Sequence, residues 1–269
     1  MRRQGHPRRS VTYSVVVKFR QEHDRLYAEA KRTSDYLAVT SHYYSVMSQV
    51  IDDYFNGNFH FSPPQFNGQS FEEALNALHL NIAKCLKLDK DKKCLDIGCG
   101  IGTVMKELST TGANLTGLTI AANEVHMGNE VFRSENIKNC NIIEGDCHDM
   151  PFVNDSFDCA YAIYSLKYLV NLLPVMREIS RILKSDGLLV IYDLLKTKKF
   201  DKNSSEHRRI IEGIEYACGM PSLHTRQEMI AAASECNLEL IEAIDLDAYT
   251  GYPFHYCFSN SKFFMWLVR

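Results

Sequence analysis

Three glycines at alternate positions follow an apolar run and an acidic residue. The segment Leu95-Asp96-Ile97-Gly98-Cys99-Gly100-Ile101-Gly102 has the pattern of a strand, a turn and the start of a helix. Glycine is needed where the backbone turns sharply and approaches a ligand closely. A helix that begins here presents free N–H groups and the positive end of its dipole. The segment therefore predicts a ligand site built largely from main-chain atoms.

The order of the glycines, and the acid before them, indicate the ligand. The pattern is G-x-G-x-G, whereas dinucleotide-binding loops carry G-x-G-x-x-G. Asp96 would repel a pyrophosphate but attract the cationic amino group of S-adenosylmethionine. The second predicted strand ends at Thr119 without the carboxylate that an NAD enzyme places there. We predict S-adenosylmethionine as the cofactor, held by Asp96, Gly98, Gly100 and Gly102. Capping of the turn is the competing structural role for Asp96.

Two further strand ends are expected to line the same ligand, because ligands of open parallel sheets bind beyond the carboxyl ends of the strands. The second strand delivers Leu118 and Thr119, and the third delivers Asp146 and Cys147. Asp146 is placed to accept a hydrogen bond from the adenine amino group; a solvated loop acid is the alternative. No residue is assigned to the ribose.

Strands and helices alternate along the middle of the chain. Apolar runs predict strands at 94–97, 115–120, 141–144, 158–163 and 188–194. Helical spacing predicts helices at 103–109, 121–135, 171–184 and 206–217, and capping-box patterns predict helices after Ser70-x-x-Glu73 and Thr225-x-x-Glu228. This alternation is typical of a parallel, doubly wound α/β sheet. Leu238–Leu246 and Phe263–Val268 predict a final antiparallel hairpin at the sheet edge, for seven strands in total.

Composition excludes several functional classes. The chain has 269 residues, 45% hydrophobic and 23% charged, with a net charge of −3, so no nucleic-acid partner is expected. Four arginines among the first ten residues suit a disordered charged tail. Nine cysteines without a C-x-x-C or zinc spacing indicate reduced intracellular thiols and no metal site. No run of eighteen apolar residues is present, so no membrane span is expected. The composition carries no signal for an oligomeric state.

Two sets of segments resemble known families. Lys93–Gly102, Ile143–Phe152 and Glu178–Gly187 resemble class I methyltransferases. Three further segments resemble the sterol C-methyltransferases: the aromatic stretch from Tyr43-Tyr44 to Ser62-Pro63, Ser70–Leu75, and Tyr192–Glu215. The resemblance implies a Rossmann-like, seven-stranded class I domain and a sterol substrate. It also implies a cytoplasmic enzyme in peripheral contact with the endoplasmic reticulum membrane.

The resemblance divides the chain and adds cofactor contacts. Residues 1–70 form an N-terminal tail and an aromatic cap segment, and residues 71–269 form the cofactor-binding methyltransferase domain. Tyr43, Tyr44 and Ser62 are implied to close over the methionyl end of the cofactor, whose sulfonium is attracted by aromatic faces. Ordinary core packing is the alternative for these aromatics. The link from Asp247 to Lys262 is shorter than the helical insert of the family, so the C-terminal substrate region is shortened.

Departures from the family pattern bear on the acceptor carbon. Side-chain methylating enzymes carry Glu where this chain has Tyr164, His where it has Tyr168 and Asp where it has Cys218, whereas Glu215 is kept. Those acids suit the carbocation formed when an alkene is methylated. Their loss favours ring carbon C4 of a 3-keto sterol, where a base must first form an enolate.

Several bases and several functions stay open at this point. The candidate catalytic residues are His42, His60, Tyr164 and Glu215, with His224 as a further candidate base, and each competes with a structural role. The alternatives to C4 methylation are methylation of the sterol side chain at C24, methylation of another small molecule or a phospholipid, and non-catalytic binding of sterol or cofactor.

Overall fold

The computed structural model describes residues 13–55, 57–58, 60–221 and 223–246. Three helices come first: α1 (Tyr13–Thr33), α2 (Leu37–Phe55) and α3 (Phe71–Cys85). The rest alternates as β1 (Lys93–Ile97), α4 (Thr103–Leu108), β2 (Asn114–Thr119), α5 (Ala122–Ser134), β3 (Cys140–Glu144), β4 (Phe157–Ile163), α6 (Leu172–Ile182), β5 (Leu183–Tyr192), α7 (Ser205–Cys218) and α8 (Arg226–Ser234). None of the helices in the described ranges is both long and apolar enough to cross a bilayer.

The five strands form one parallel sheet in the order β3-β2-β1-β4-β5. The strand order reverses between β1 and β4, so the carboxyl ends of these two strands open a crevice where α/β sheets bind ligands. Asp96 on β1 lies opposite Gly117 on β2 and Tyr161 on β4. The first of the predicted ligand residues is thus placed at this crevice.

Both faces of the sheet are covered, which explains the nearly continuous apolar runs of its strands. On one face, Leu95 and Ile97 pack with the buried residues of α6. On the other face, Cys94 packs with α3, α4 and α5. Ser70 and Thr225 cap α3 and α8 through complete capping boxes with the glutamates three residues later. The predicted fold class and both caps are confirmed.

One predicted strand is wrong. Residues 238–245 form no strand, and the large apolar side chains of Leu240, Ile241 and Ile244 are exposed by 48%, 83% and 52%. A strand needs a paired edge and a covered face, and this segment has neither along its exposed residues. Its predicted hairpin partner, Phe263–Val268, lies outside the described residues. The sheet in the described ranges therefore has five strands.

Candidate active site

The glycine loop is held by close contacts to the strands on either side. Gly98 and Gly102 have φ of +78° and +76°, which side chains disfavour. A Cβ on Gly98 would lie 2.5 Å from the Cβ of Ser165, and one on Gly102 would lie 2.7 Å from Cζ of Phe132. The N–H of Gly98 donates to the Leu118 carbonyl at 2.9 Å. The loop therefore joins the carboxyl ends of β1, β2 and β4.

Asp96 is a buried carboxyl group beneath this loop. Asp96 is 3% exposed, and burial raises the pKa of its carboxyl group to about 7. A carboxylate taken out of water is costly unless a cation compensates it. A cationic amino group placed beside Asp96 would therefore favour the ionised form.

A carboxylate does stand at the end of β2, although it does not belong to the strand. Thr119 Oγ1 donates to Oε2 of Glu124 at 2.6 Å, and Glu124 lies in the first turn of α5. The residues at the strand end do not predict this carboxylate, because Glu124 lies beyond the strand. The sequence feature that indicates it is an acid in the first helical turn after the strand, five residues beyond Thr119.

The end of β3 forms a hydrogen-bonded turn. Oδ1 of Asp146 accepts from the N–H of His148 at 2.8 Å and lies 2.7 Å from its Nδ1. Although partial burial opposes it, these bonds lower the pKa of Asp146. Burial raises the pKa of the Cys147 thiol to about 12. These three side chains place their ligating atoms within 4.8 Å of one another, but the thiol keeps its proton and the imidazole is engaged by Asp146.

The crossing segment, made of the described residues 57–58 and 60–64, crosses the crevice. At its start, a Cβ on Gly57 would lie 3.3 Å from Oγ1 of Thr103, at the end of the glycine loop. Further along, the Tyr192 hydroxyl at the end of β5 donates to the Phe61 carbonyl at 2.6 Å. Ser62 is 5% exposed, and its hydroxyl donates to the Pro63 carbonyl at 3.4 Å. The segment therefore spans the sheet edge from β1 to β5.

The aromatic residues of α2 reach the same edge. The Tyr44 hydroxyl donates to the Tyr168 hydroxyl in the turn after β4, at 2.6 Å. Tyr43 contacts the Tyr44 ring edge-on, with the centroids 5.3 Å apart. The Thr40 hydroxyl donates to the carbonyl of Gly219, just after α7, at 2.6 Å. Helix α2 is thereby attached both to the β4 turn and to the C-terminal end of α7. The side chains of Tyr54, Phe55 and Phe59 lie outside the described residues.

Three of the five candidate bases are engaged in packing contacts. His42 lies between α1 and α2, where its Nε2 donates to the Phe19 carbonyl at 3.0 Å. Glu215 is 3% exposed, and its Oε1 accepts from the N–H of Leu223 at 3.1 Å. Nε2 of His224 donates to a main-chain carbonyl at 2.8 Å. Each therefore has a hydrogen-bond partner within the fold.

His60 and Tyr164 are brought together. Their ring centroids lie 6.2 Å apart, and both residues are buried, at 4% and 7% exposure. Tyr164 directly follows β4 with φ +55°, a conformation that is rare for a bulky residue. Its ring lies 5.6 Å from that of Tyr192. Burial holds the pKa of His60 well below its usual value, so its imidazole is neutral.

His60 belongs to a chain of three side chains that leads outward. Its Nε2 lies 2.5 Å from Nε2 of the fully buried His79 on α3. Nδ1 of His79 lies 2.5 Å from Oε2 of Glu107 on α4, whose side chain is 29% exposed. Sequence analysis does not single out His79 or Glu107, because they are 28 residues apart and meet only when α3 packs on α4.

Lys167 is a further buried charge that sequence analysis does not single out. It lies in a 3-10 turn, Leu166–Tyr168, and is 4% exposed. Its Nζ lies 3.6 Å from the centroid of the Tyr164 ring. The main-chain N–H of Lys167 donates to Oδ2 of Asp193, just after β5, at 2.9 Å. Burial lowers the pKa of the Lys167 ammonium to about 8.

The sheet order and the glycine loop after β1 define a class I methyltransferase. The family described as "Methyltransferase domain" matches residues 95–191. The geranyl diphosphate C-methyltransferase of Streptomyces coelicolor A3(2), solved with Mg²⁺, geranyl diphosphate and S-adenosyl-L-homocysteine, has a similar fold. It superposes with a TM-score of 0.61 at 20% identity, over 76% of this chain and 83% of that one.

Sequence relatives give the particular family. The chain is 54% identical to the sterol 4-C-methyltransferase strm-1 of Caenorhabditis elegans, over 94% of this chain and 76% of that protein. It is 30% identical to the sterol 24-C-methyltransferase of Debaryomyces hansenii, over 86% of this chain and 62% of that protein. The chain belongs to the sterol C-methyltransferase family of S-adenosylmethionine-dependent enzymes.

Proposed function

We propose that this protein transfers a methyl group from S-adenosylmethionine to carbon C4 of a 3-keto sterol. The observation that carries the proposal is the buried, neutral His60 with a hydrogen-bonded path to the surface, because methylation beside a ketone requires removal of a proton. The 54% identity to a protein named as a 4-C-methyltransferase supports the same carbon. Relatives named for carbon 24 are about 30% identical.

The donor site is built from the ends of β1, β2 and β3. When bound, the donor supplies an electrophilic methyl group on a sulfonium centre. Asp96 would pair with the amino group of the donor, and Asp146 would accept a hydrogen bond from its adenine. The glycine loop would let the donor approach the main chain closely. Glu124, held by Thr119 at the end of β2, is the carboxylate for the ribose hydroxyls. No metal is required by this arrangement.

The hydrogen-bonded chain determines which nitrogen of His60 is basic. The Glu107 carboxylate can only accept, so Nδ1 of His79 carries the proton between them. The Nε2 of a neutral His79 then has a lone pair and accepts from Nε2–H of His60. The remaining lone pair of His60 is on Nδ1. That atom is the one that takes the C4 proton.

The same chain carries the proton away. Once Nδ1 of His60 is protonated, its Nε2 proton can move to Nε2 of His79, and the Nδ1 proton of His79 can move to Glu107. Glu107 reaches solvent and releases it. A carboxylate behind two imidazoles also stabilises the positive charge in transit, as it does behind the histidine of a catalytic triad.

Product analysis tests the proposal. The full chain would be incubated with methyl-labelled S-adenosylmethionine and two acceptors, a saturated-side-chain 3-keto sterol and a 24-unsaturated 3-hydroxy sterol. We expect label at C4 of the first acceptor only, assigned by NMR and mass spectrometry. Label at C24, or transfer to phospholipid headgroups alone, would refute the proposed acceptor. Donor binding without transfer to any acceptor would indicate a non-catalytic binder.

A variant of the base tests the residue assignment. His60→Gln should lower kcat by about 10²–10⁴-fold, the usual contribution of a general base. Its affinity for S-adenosylhomocysteine should be unchanged in calorimetry, because His60 is not part of the donor site. His126→Gln is the matched control, because His126 is exposed on α5 and pairs with Glu130 of the same helix at 3.4 Å. Full activity of His60→Gln would exclude His60 as the base.

We also propose that the enzyme takes its sterol from a membrane surface. Val46 on α2 is exposed by 45%, and Phe66, just after the crossing segment, by 57%. Exposed apolar side chains of this kind suit contact with a bilayer. Flotation with phosphatidylcholine–sterol vesicles should recover the protein, and Val46→Asp with Phe66→Asp should reduce recovery. Equal recovery of the variant would refute this surface.

A further inference from the structure

Lys167 is a buried cation that forms no ion pair with a carboxylate of the described residues. In the described part of the chain, no carboxylate oxygen lies within 4.0 Å of its ammonium, which rests on the faces of Tyr164 at 3.6 Å and Tyr168 at 5.2 Å. A cation buried among aromatic rings is costly to maintain. A site of this kind is suited to an anion that arrives with the substrate or forms from it.

The described groups around the Lys167 ammonium favour its charged form but do not form an ion pair with it. It is faced by His60 before α3, Asp193 after β5, Cys218 at the end of α7, and Tyr164 and Tyr168 in its own turn. Asp193 supplies a favourable charge from beyond ion-pair distance. Burial raises the pKa of the Cys218 thiol, so it stays neutral.

We propose that Lys167 is a catalytic residue that pairs with the oxyanion formed at O3 of the sterol when C4 loses its proton to His60. The inference rests on the proposed function, because only methylation beside a ketone generates this oxyanion. His60 and Lys167 act as base and electrophile on neighbouring atoms. Both groups lie beside the same ring, because the Tyr164 centroid is 3.6 Å from Nζ of Lys167 and 6.2 Å from the centroid of His60.

Nδ1 of His60 takes the C4 proton, and the electrons of that C–H bond form the C3–C4 double bond. The carbonyl π electrons move to O3, which becomes an oxyanion next to the Lys167 ammonium. C4 then bonds to the methyl carbon, and the methyl–sulfur bond breaks with its electrons remaining on sulfur. The carbonyl re-forms, and the net products are the methylated ketone, S-adenosylhomocysteine and one proton.

The donor carboxylate is the competing anion for Lys167. The methionyl end is expected at Asp96 on β1, whereas the ammonium belongs to the turn after β4 and lies 3.6 Å from the centroid of the Tyr164 ring. That centroid lies 6.2 Å from the ring of His60. We therefore place the ammonium beside the base, on the acceptor side of the crevice.

Enolisation can be measured separately from methyl transfer. The full chain with S-adenosylhomocysteine would be incubated with a 3-keto sterol in D₂O, and deuterium at C4 followed by NMR. Lys167→Met should slow this exchange, and kcat for methylation, by about 10²–10³-fold, as loss of an oxyanion-stabilising donor does. Its affinity for S-adenosylhomocysteine should change less than twofold. Lys184→Met is the control, because Lys184 is exposed at the opposite end of β5.

A phenolic A-ring steroid provides a second readout, because its phenolate resembles the enolate. The wild-type protein should bind it in the ionised form, seen in its absorbance spectrum, and Lys167→Met should bind it as the neutral phenol. Exchange by Lys167→Met at the wild-type rate would overturn the proposal. So would a tenfold loss of affinity for S-adenosylhomocysteine with exchange unchanged, which would place the donor carboxylate at Lys167.

Lys167→Arg keeps the proposal testable if the methionine variant does not fold. The wild-type kcat should fall as pH rises through about 8, where the ammonium loses its proton. In Lys167→Arg this fall should disappear below pH 10, because guanidinium stays charged. An unchanged pH profile would contradict the role of Lys167. Wild-type label at C24 would refute the proposed function itself and is recognised independently of any Lys167 variant.

Discussion

The hydroxyl of Tyr44 on α2 donates to the hydroxyl of Tyr168 in the turn after β4, at 2.6 Å. The two residues are 124 positions apart, and their contact joins the N-terminal aromatic segment to the carboxyl edge of the sheet. The same turn carries Lys167, and Tyr164 lies at its start. The hydrogen bond therefore holds the cap over the residues proposed for catalysis.

Removing either hydroxyl should weaken the cap. Tyr44→Phe leaves the Tyr168 hydroxyl without its partner at a largely buried position, at a cost of about 1–2 kcal/mol in the free energy of unfolding. The Michaelis constant for the sterol should rise because the wall of its pocket is looser. Tyr168→Phe should have a similar effect. In the double variant the two costs should not add, with a coupling of at least about 0.5 kcal/mol by urea denaturation; full additivity would show that the bond does not stabilise the fold.

The pKa of Asp96 predicts how donor affinity depends on pH. Burial raises this pKa to about 7, so the carboxyl group is neutral in acid and pairs poorly with an ammonium. Affinity for S-adenosylhomocysteine should therefore increase as pH rises through about 7. On the acid side of this value, each pH unit should lower the affinity by up to about tenfold. Calorimetry between pH 5.5 and 8 measures this limb, and Asp96→Asn should remove it and weaken binding above pH 7.

Two glycines of one loop should respond differently to alanine. A Cβ on Gly102 would lie 2.7 Å from Phe132 and 2.9 Å from Ile142, so Gly102→Ala should destabilise the fold by about 1–3 kcal/mol. A Cβ on Gly100 would meet nothing within 4 Å. Gly100→Ala should therefore lower the melting temperature less than Gly102→Ala does, since only its φ of +54° opposes the substitution, but should weaken donor binding if the donor lies over this residue. Thermal unfolding and calorimetry on both variants separate the effects, and the reverse ranking would place the donor elsewhere.

The sequence contains enough local information for most of the fold. Strands β1 to β5 are predictable because each is a short apolar run between turn residues, and both faces of the sheet are buried. The caps at Ser70 and Thr225 are local patterns that act over three residues. The prediction of a strand at 238–246 fails because alternating apolar residues form a strand only where a partner edge is available.

The candidate site likewise has one part that is predictable from the sequence and one part that is not. The glycine loop and Asp96 are contiguous in the chain, so their chemistry can be predicted from spacing alone. The chain from His60 to His79 and Glu107 is not contiguous, because it depends on how α3 packs against α4. Lys167 is similarly hidden, since only the fold shows that this lysine is buried and rests on Tyr164. Among the candidate bases, His60 is buried beside Tyr164 at the sheet edge, whereas His42 is partly exposed and stacks on Phe19 between α1 and α2.

The cost of burying Lys167 can itself be measured. Burial lowers the pKa of its ammonium from 10.5 to about 8. At about 1.4 kcal/mol per pKa unit, this difference corresponds to a destabilisation of about 3 kcal/mol wherever the lysine is charged in both the folded and the unfolded state. Lys167→Met should therefore unfold at higher denaturant concentration than the wild-type protein at pH 7, with a gain of about 1–3 kcal/mol.

The pH dependence distinguishes this effect from better packing. The gain should be complete below pH 8 and should disappear as pH rises from 8 toward 10.5, because above that range the lysine is neutral in both states. Urea denaturation of wild type and Lys167→Met at pH 7, 9 and 10 measures it. A gain independent of pH would mean that the methionine fills space and that the ammonium carries no penalty. A more stable protein with a much lower rate of C4 exchange is the expected result for a charge that is retained for catalysis at the expense of stability.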